Sequence, residues 1–312
     1  MITVPIPASF DERTFDEAVG LATSGDDEKV LLDARRLRFA DPYGMIGLLA
    51  IGTELRRRGR TPVLHLPDST DVTSYLSRMH FYEPGREVFE LHGTARKAQG
   101  GGSDVLLEIT PIRSHDDVHS VVDRVQERAG AILSKELHYP VAASVQFSVM
   151  LSEVCQNIIE HSESEGWVAA QRYDWKQRLG RKVVVIAVMD LGVGFRGSMA
   201  SEHATRFAER WSDAAALQGA FLQGKSRFPD PGRGQGLQQI RKQARKWNGQ
   251  VTIRSGSARI ADVPEWSDRP PLEEGLPELP GAQIGIVLPA RLPQDEQPSV
   301  FDQKPTAKRR SR

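Results

Sequence analysis

The sequence predicts an α/β protein, and three observations carry that expectation. Residues 1–92 alternate short apolar strands with amphipathic helices. The run KVVVIAVMD at 182–190 is continuously apolar, as in a strand buried inside a sheet. Two helical patterns flank it, one across 141–163 and one opening near residue 237. A chain of 312 residues with a hydrophobic share of 39% can bury two ordinary cores. The cluster GTARKAQGGGS at 93–103 reads as a linker between units at 1–92 and 104–290, and 291–312, ending KPTAKRRSR, reads as a disordered basic tail.

In the first unit, ITVPI and KVLLD are expected strands, with a helix between them that buries Phe15, Ala18, Val19 and Ala22. A turn at Asp41-Pro42 then opens a helix with Ile46, Leu49 and Ala50 inward. The arginines at 56–58 sit at its C-terminus, where the helix dipole favours cations. TPVLHL follows as a strand, and a helix runs from Ser69 to Arg78.

The second unit begins with a strand, LLEITPI, and a helix, HDDVHSVVDRVQERAGAIL, with His115 and His119 at its solvated start. In VAASVQFSVMLSEVCQNIIEHSE, helical spacing places Leu151, Val154, Cys155, Ile158 and Ile159 on one face. Glu153, Asn157, Glu160 and His161 gather on the other. The strand 182–190 delivers Asp190 into LGVGF. A carboxylate at a buried strand end needs a donor, which an adenine amino group would supply, while Gly192 and Gly194 would admit a flat base. Gly232, Gly234 and Gly236 precede a helix with Leu237, Ile240, Ala244 and Trp247 on one side, closed by Asn248-Gly249. Free amides at such a helix start suit phosphate. A Pro- and Glu-rich stretch from Pro264 to Pro280 reads as a break, and GAQIGIVLP as the last strand.

Several classes are disfavoured. Lys plus Arg equals Asp plus Glu at 41 each, so no net field draws the chain to nucleic acid or an anionic membrane. No apolar run approaches the roughly 20 residues of a membrane helix, and MITVPIPASFDERTF resembles no leader, so a cytoplasmic protein is expected. The single cysteine, Cys155, excludes an internal disulfide and disfavours a cysteine zinc site.

Glu-x3-Asn-x3-His on a helix, strand-DxGxG, then GxGxGL opening a helix, in that order, resembles the GHKL superfamily of gyrase, heat-shock chaperone, histidine kinase and mismatch-repair ATPases. The resemblance implies a two-layer α/β sandwich with a mixed sheet that binds ATP and Mg²⁺. It makes Glu153 the general base and Asn157 the magnesium ligand, sets Asp190 on the adenine amino group and His161 beside the phosphates, and puts Gly192, Gly194, Gly232, Gly234, Gly236 and Leu237 around the nucleotide. Residues 195–232 become a lid with a short helix SDAAALQGAF and with Lys225 or Arg227 available to the γ-phosphate. Where the superfamily carries Gly-Thr before its last strand, this chain has Gly281-Ala282, which alters the second adenine contact.

The first unit resembles the STAS domain of anti-sigma-factor antagonists through LLDARRLRFADPYGMIGLLAIGTELRRRG, TPVLHL and DVTSYLSRMHFYE. Those antagonists present a Ser or Thr before the helix-opening glycine, and here Tyr43 stands before Gly44. Together the two resemblances point to the anti-sigma-factor serine kinase type, which transfers the γ-phosphate to a protein hydroxyl. A gyrase-type hydrolase, which takes a lysine from a following domain, is disfavoured because about 25 residues follow the last strand here, and a sensor histidine kinase is disfavoured because 104–140 reads as part of the ATP-binding unit and not as a dimerising hairpin. The expected partner is a regulator or sigma-factor-like protein, with an intramolecular STAS contact and a homodimer as further options. The alternatives are a non-catalytic ATP-dependent switch and a slow ATPase of a stress or defence assembly.

Overall fold

The computed structural model describes residues 1–96, 105–140, 142–159, 164–200, 211–225 and 235–292. The N-terminal half holds a four-stranded parallel sheet in the order β1 (Ile2–Pro5), β3 (Lys29–Asp33), β5 (Thr61–His65), β6 (Glu90–His92). A small parallel pair, β2 (Ser9–Phe10) and β4 (Phe39–Ala40), lies beside it. Its helices are α1 (Phe15–Thr23), α2 (Pro42–Arg57), α3 (Thr70–Arg78) and α4 (Tyr82–Val88). Asp41 caps α2 by accepting a 2.8 Å bond from the Gly44 amide, and Pro42 fills the first helical position, where no amide hydrogen is needed.

The C-terminal half holds five strands in the order β10 (Gln250–Asp262), β11 (Leu272–Pro289), β9 (Arg181–Asp190), β8 (Gly166–Trp175), β7 (Val105–Ile112). Every neighbouring pair is antiparallel. The α/β class stands; parallel pairing belongs to the N-terminal sheet, and among the described residues the second sheet, expected to be mixed, pairs only antiparallel. The continuous apolar run on β9 therefore has a cause other than parallel pairing, because both faces of this antiparallel sheet are covered. Val184, Ile186 and Val188 face a core shared with α5 (His115–Ala131), α6 (Ala142–Asn157) and α9 (Gln235–Lys246). The alternate residues Ala187 and Met189, with Trp167, Ala169, Val105 and Ile109, join the core of the N-terminal half.

Helix α2 is consequently buried almost all round, including Pro42, Tyr43, Met45, Leu48 and Ile51, and not only along the stripe of Ile46, Leu49 and Ala50. It lies between the parallel sheet and the second sheet, so it has no solvated face to keep polar. The joint is also charged. Arg254 of β10, 0% exposed, donates from Nε to Asp16 of α1 at 2.7 Å, and Arg259 pairs with Asp16 and, at 2.9 Å, with Glu273. A cavity of about 20 Å³, roomy enough for a water, remains at this joint beside Glu12, Asp41, Tyr43, Gln250 and Arg269.

Part of the stretch read as a break from Pro264 to Pro280 belongs to β11. The pairs Arg259↔Glu273 and Ile260↔Leu272 extend the hairpin, and register shifts between Ser255 and Gly256 and between Gly256 and Ala258 absorb Pro280 and Pro277. Among the described residues no helix is long and apolar enough to cross a membrane.

Candidate functional site

Helix α6 sorts its side chains as its spacing predicts: Leu151, Val154, Cys155 and Ile158 are buried, and Glu153 and Asn157 lie on the less buried side, one turn apart. Three contacts bring the predicted motifs together. The Gly166 backbone runs close under Ile158, since a Cβ there would stand 2.8 Å from Ile158 Cδ1, and Gly166 is the register partner of Asp190. The end of α6 therefore sits over the end of β9. At the other side Gly236, in the first turn of α9, faces Glu153, and a Cβ on Gly236 would lie 2.4 Å from Glu153 Oε2. A Cβ there would push the carboxylate aside, and the carboxylate meets the positive end of the helix dipole. Leu237 anchors the start of α9 in the core.

Two polar groups in this cluster are unusual. Asn157 Nδ2 is buried without a hydrogen-bond partner, an arrangement that costs about 1–3 kcal/mol and marks a place where a ligand or water belongs. Asp190, 6% exposed, has its carboxyl pushed up to about 7 by burial. The amides of Gly192, at 2.8 Å, and of Ala282, with the Arg57 guanidinium, oppose that shift. A carboxyl with this environment, at a strand end that meets two other motifs, makes Asp190 a functional-site candidate.

The glycines after Asp190 have a local reason for being glycine. The Gly192 amide holds the Asp190 side chain, while Gly194, at φ 63°, has no room for a Cβ, which would stand 2.6 Å from Ser255 Oγ and 2.9 Å from the Gly281 carbonyl. The expected role of Gly194 in admitting a flat base is thus joined by a packing requirement of the chain itself. Ser255 Oγ accepts from the Phe195 amide at 3.1 Å and donates to the Gly281 carbonyl at 2.7 Å, which fixes this turn. Gln283 does not replace the missing threonine. It is fully buried, and its Nε2 donates to the backbone carbonyls of Pro280 and Asp190.

Between these motifs lie α7 (Gly194–Ser198) and α8 (Asp213–Gln223), the latter the short helix expected in the lid. Ser212 caps α8, and Asp213 docks it on β10 by accepting from the Ser257 amide and hydroxyl, both at 2.9 Å. The Phe221 carbonyl accepts a 2.7 Å bond from Gln238 Nε2, which ties the end of α8 to α9. Lys225 follows immediately, with its stem lying along Gly219. His161, Gly232 and Gly234, together with Arg227, lie outside the described residues.

Among the described residues no group of three or more His, Cys, Asp or Glu side chains could hold a metal. A carboxylate and an amide on one helix face suit magnesium, which keeps several waters and takes phosphate oxygens for the remainder of its shell. His115 and His119 are exposed at the start of α5, as expected. Sequence reasoning missed Arg57, Ser164 and Ser255, and no motif marks them. Arg57 is one of three successive arginines at a helix end, Ser164 stands in a short polar stretch before β8, and Ser255 is one small polar residue within β10. Searches with protein-family models, against curated proteins and against solved structures gave no match to this chain.

Proposed function

We propose that the C-terminal half binds Mg-ATP and that the protein is a regulatory phosphotransferase resembling the anti-sigma-factor serine/threonine kinases. The observation that carries this reading is the meeting of Glu153 with Gly236 at the start of α9, beside a buried Asn157 amide that has no partner. Asp190 would accept the adenine amino group, and the first turn of α9 would face the phosphates. A magnesium ion held by Asn157 would neutralise phosphate charge. Glu153 would take the proton of an incoming serine or threonine hydroxyl while that oxygen bonds to the γ-phosphorus and the bond to the β-phosphate oxygen breaks, releasing ADP.

The acceptor belongs to another molecule on this reading. Tyr43, which stands at the phosphoacceptor position of the STAS resemblance, is 2% exposed and packs edge-on against Phe15 at 5.4 Å. The same observation favours the reading of the N-terminal half as a docked regulatory module, and with it the non-catalytic switch as the second candidate.

Calorimetric titration with Mg-ATP tests the site: wild type should bind, and Asp190→Ala should bind at least tenfold more weakly. Equal affinity would remove Asp190 from the site. Incubation with γ-labelled ATP tests the chemistry. Transfer to a protein by wild type and its loss in Glu153→Ala support the phosphotransferase, release of phosphate with no labelled protein favours the slow ATPase, and equal ATP binding with no turnover by either protein leaves the switch.

A further inference from the structure

The C-terminal end of α2 reaches across the joint to the nucleotide-binding elements. Arg57 Nη1 donates to the Leu191 carbonyl, next to Asp190, and its Nη2 donates to Ser164 Oγ at 2.8 Å. Leu191 belongs to the turn after β9, which carries Asp190 and Gly192. Ser164 stands just before β8, on the segment that returns from the Glu153 helix. One guanidinium from the N-terminal half thus bridges the segments that follow two of the three motifs, using the planar fork that makes arginine unlike lysine.

A second cation reinforces the same place. Arg113 bonds Glu165 at 2.9 Å and pairs with Glu87 of α4 at 3.6 Å. The segment beginning at Ser164 is therefore held against the N-terminal half on two sides. Besides burial, the groups among the described residues that act on the Asp190 carboxyl are the amides of Gly192 and Ala282 and the guanidinium of Arg57.

We infer that Arg57 is a positioning residue through which docking of the N-terminal half sets the affinity of the nucleotide site. It holds the Leu191 carbonyl and the Ser164 hydroxyl in the arrangement that presents Asp190 and Asn157 to one ligand, so a signal that loosens α2 from the second sheet lowers ATP affinity without touching the nucleotide. This rests on the ATP-binding reading above, because the site regulated is the same one.

The test is Mg-ATP affinity by calorimetry between pH 6 and 9 for wild type, Arg57→Gln, Arg57→Lys and Ser164→Ala, with thermal melts of each. Arg57→Gln should weaken binding about tenfold, a typical coupling between sites. Binding that needs ionised Asp190 strengthens as pH rises through about 7. Loss of the cation should move that midpoint to higher pH, a change that general destabilisation does not produce. Arg57→Lys should recover the midpoint and only part of the affinity, because an ammonium restores charge without the fork. Ser164→Ala, which removes the hydroxyl that Arg57 meets and no charge, should weaken binding with the midpoint unmoved.

Wild-type affinity and midpoint in Arg57→Gln would overturn the inference. So would a fall in affinity with an unmoved midpoint in Arg57→Gln and no effect of Ser164→Ala, and so would an Arg57→Gln protein that does not fold together with a normal Ser164→Ala and an Arg57→Lys no better than unfolded. If wild type binds no ATP at all, the nucleotide reading itself fails and this inference fails with it.

Discussion

Asp41 gives the sharpest stability prediction. Its carboxyl caps α2 from a buried position, and burial, aided by the charges of Asp11 and Glu12, pushes it up from the ordinary 3.8 to about 8. At pH 7 the unfolded chain carries this group ionised and the folded chain carries it protonated, so folding takes up a proton. With each pH unit worth about 1.4 kcal/mol, the interval from 3.8 to 7 corresponds to about 4 kcal/mol of lost stability relative to acid. Because the folded-state value is raised, stability from this group is fully present below 3.8, falls through the interval and is gone above about 8. Asparagine is an equally good cap and does not ionise. Asp41→Asn should therefore match wild type near pH 4 and exceed it by an amount that grows by about 1.4 kcal/mol per pH unit up to a plateau near pH 8. Urea unfolding of both proteins at pH 4, 5, 6, 7 and 8 measures the difference directly, and titrating groups not coupled to residue 41 cancel in it. A difference that does not change with pH, or an asparagine variant that is weaker at pH 7, would refute the account, because it would mean the carboxylate is ionised and favourable at the head of α2.

Three further outcomes follow from named contacts. Gly236→Ala should hold or raise the melting temperature, since alanine favours a helix over glycine by roughly 0.5–1 kcal/mol, yet cut phosphate turnover at least tenfold by displacing the Glu153 carboxylate; unchanged turnover would remove that contact from the chemistry. Tyr43→Phe should be neutral or stabilise by about 1 kcal/mol in urea, because the buried Tyr43 hydroxyl has no hydrogen-bond partner. A loss of 2 kcal/mol or more would show that the hydroxyl is bonded, for instance to a water. Asp16→Ala should destabilise the chain by about 3–5 kcal/mol, because it strips both buried arginines, Arg254 and Arg259, of a carboxylate they share; a loss under 1 kcal/mol would show that Glu12 and Glu273 suffice.

Much of the site was legible because its chemistry sits on regular elements. The 3.6-residue period separates Glu153 and Asn157 from the Leu151 to Ile158 face, and a buried strand ending in Asp190 is visible as a run of apolar residues. The α9 face of Leu237, Ile240, Ala244 and Trp247 is buried as its spacing predicts, although Asn248, at φ 52°, and not Gly249 takes the left-handed position that ends it. What the pattern could not reveal is what covers each face. An all-apolar β9 announces two covered faces without saying that α1 and α2 supply the second, and the arginines at 56–58 suit a helix end in water as well as a contact with Leu191. The stretch from Pro264 to Pro280 hides strand pairing because proline suppresses the usual strand signal, while the pairing there rests on partners far off in sequence. Strand β8, with its mixture of apolar and polar residues, carries too weak a period to stand out.

The double covering of the second sheet bears on how such a chain can be divided. A gene split within the glycine-rich stretch would encode two polypeptides, one bearing α1 and α2 with their apolar flanks bare, the other bearing Trp167, Ala187 and Met189 on an open sheet. Each would have to find the other before aggregating. The covalent connection therefore keeps two mutually dependent surfaces at high effective concentration, so co-expression of the two pieces should succeed where expression of either alone fails.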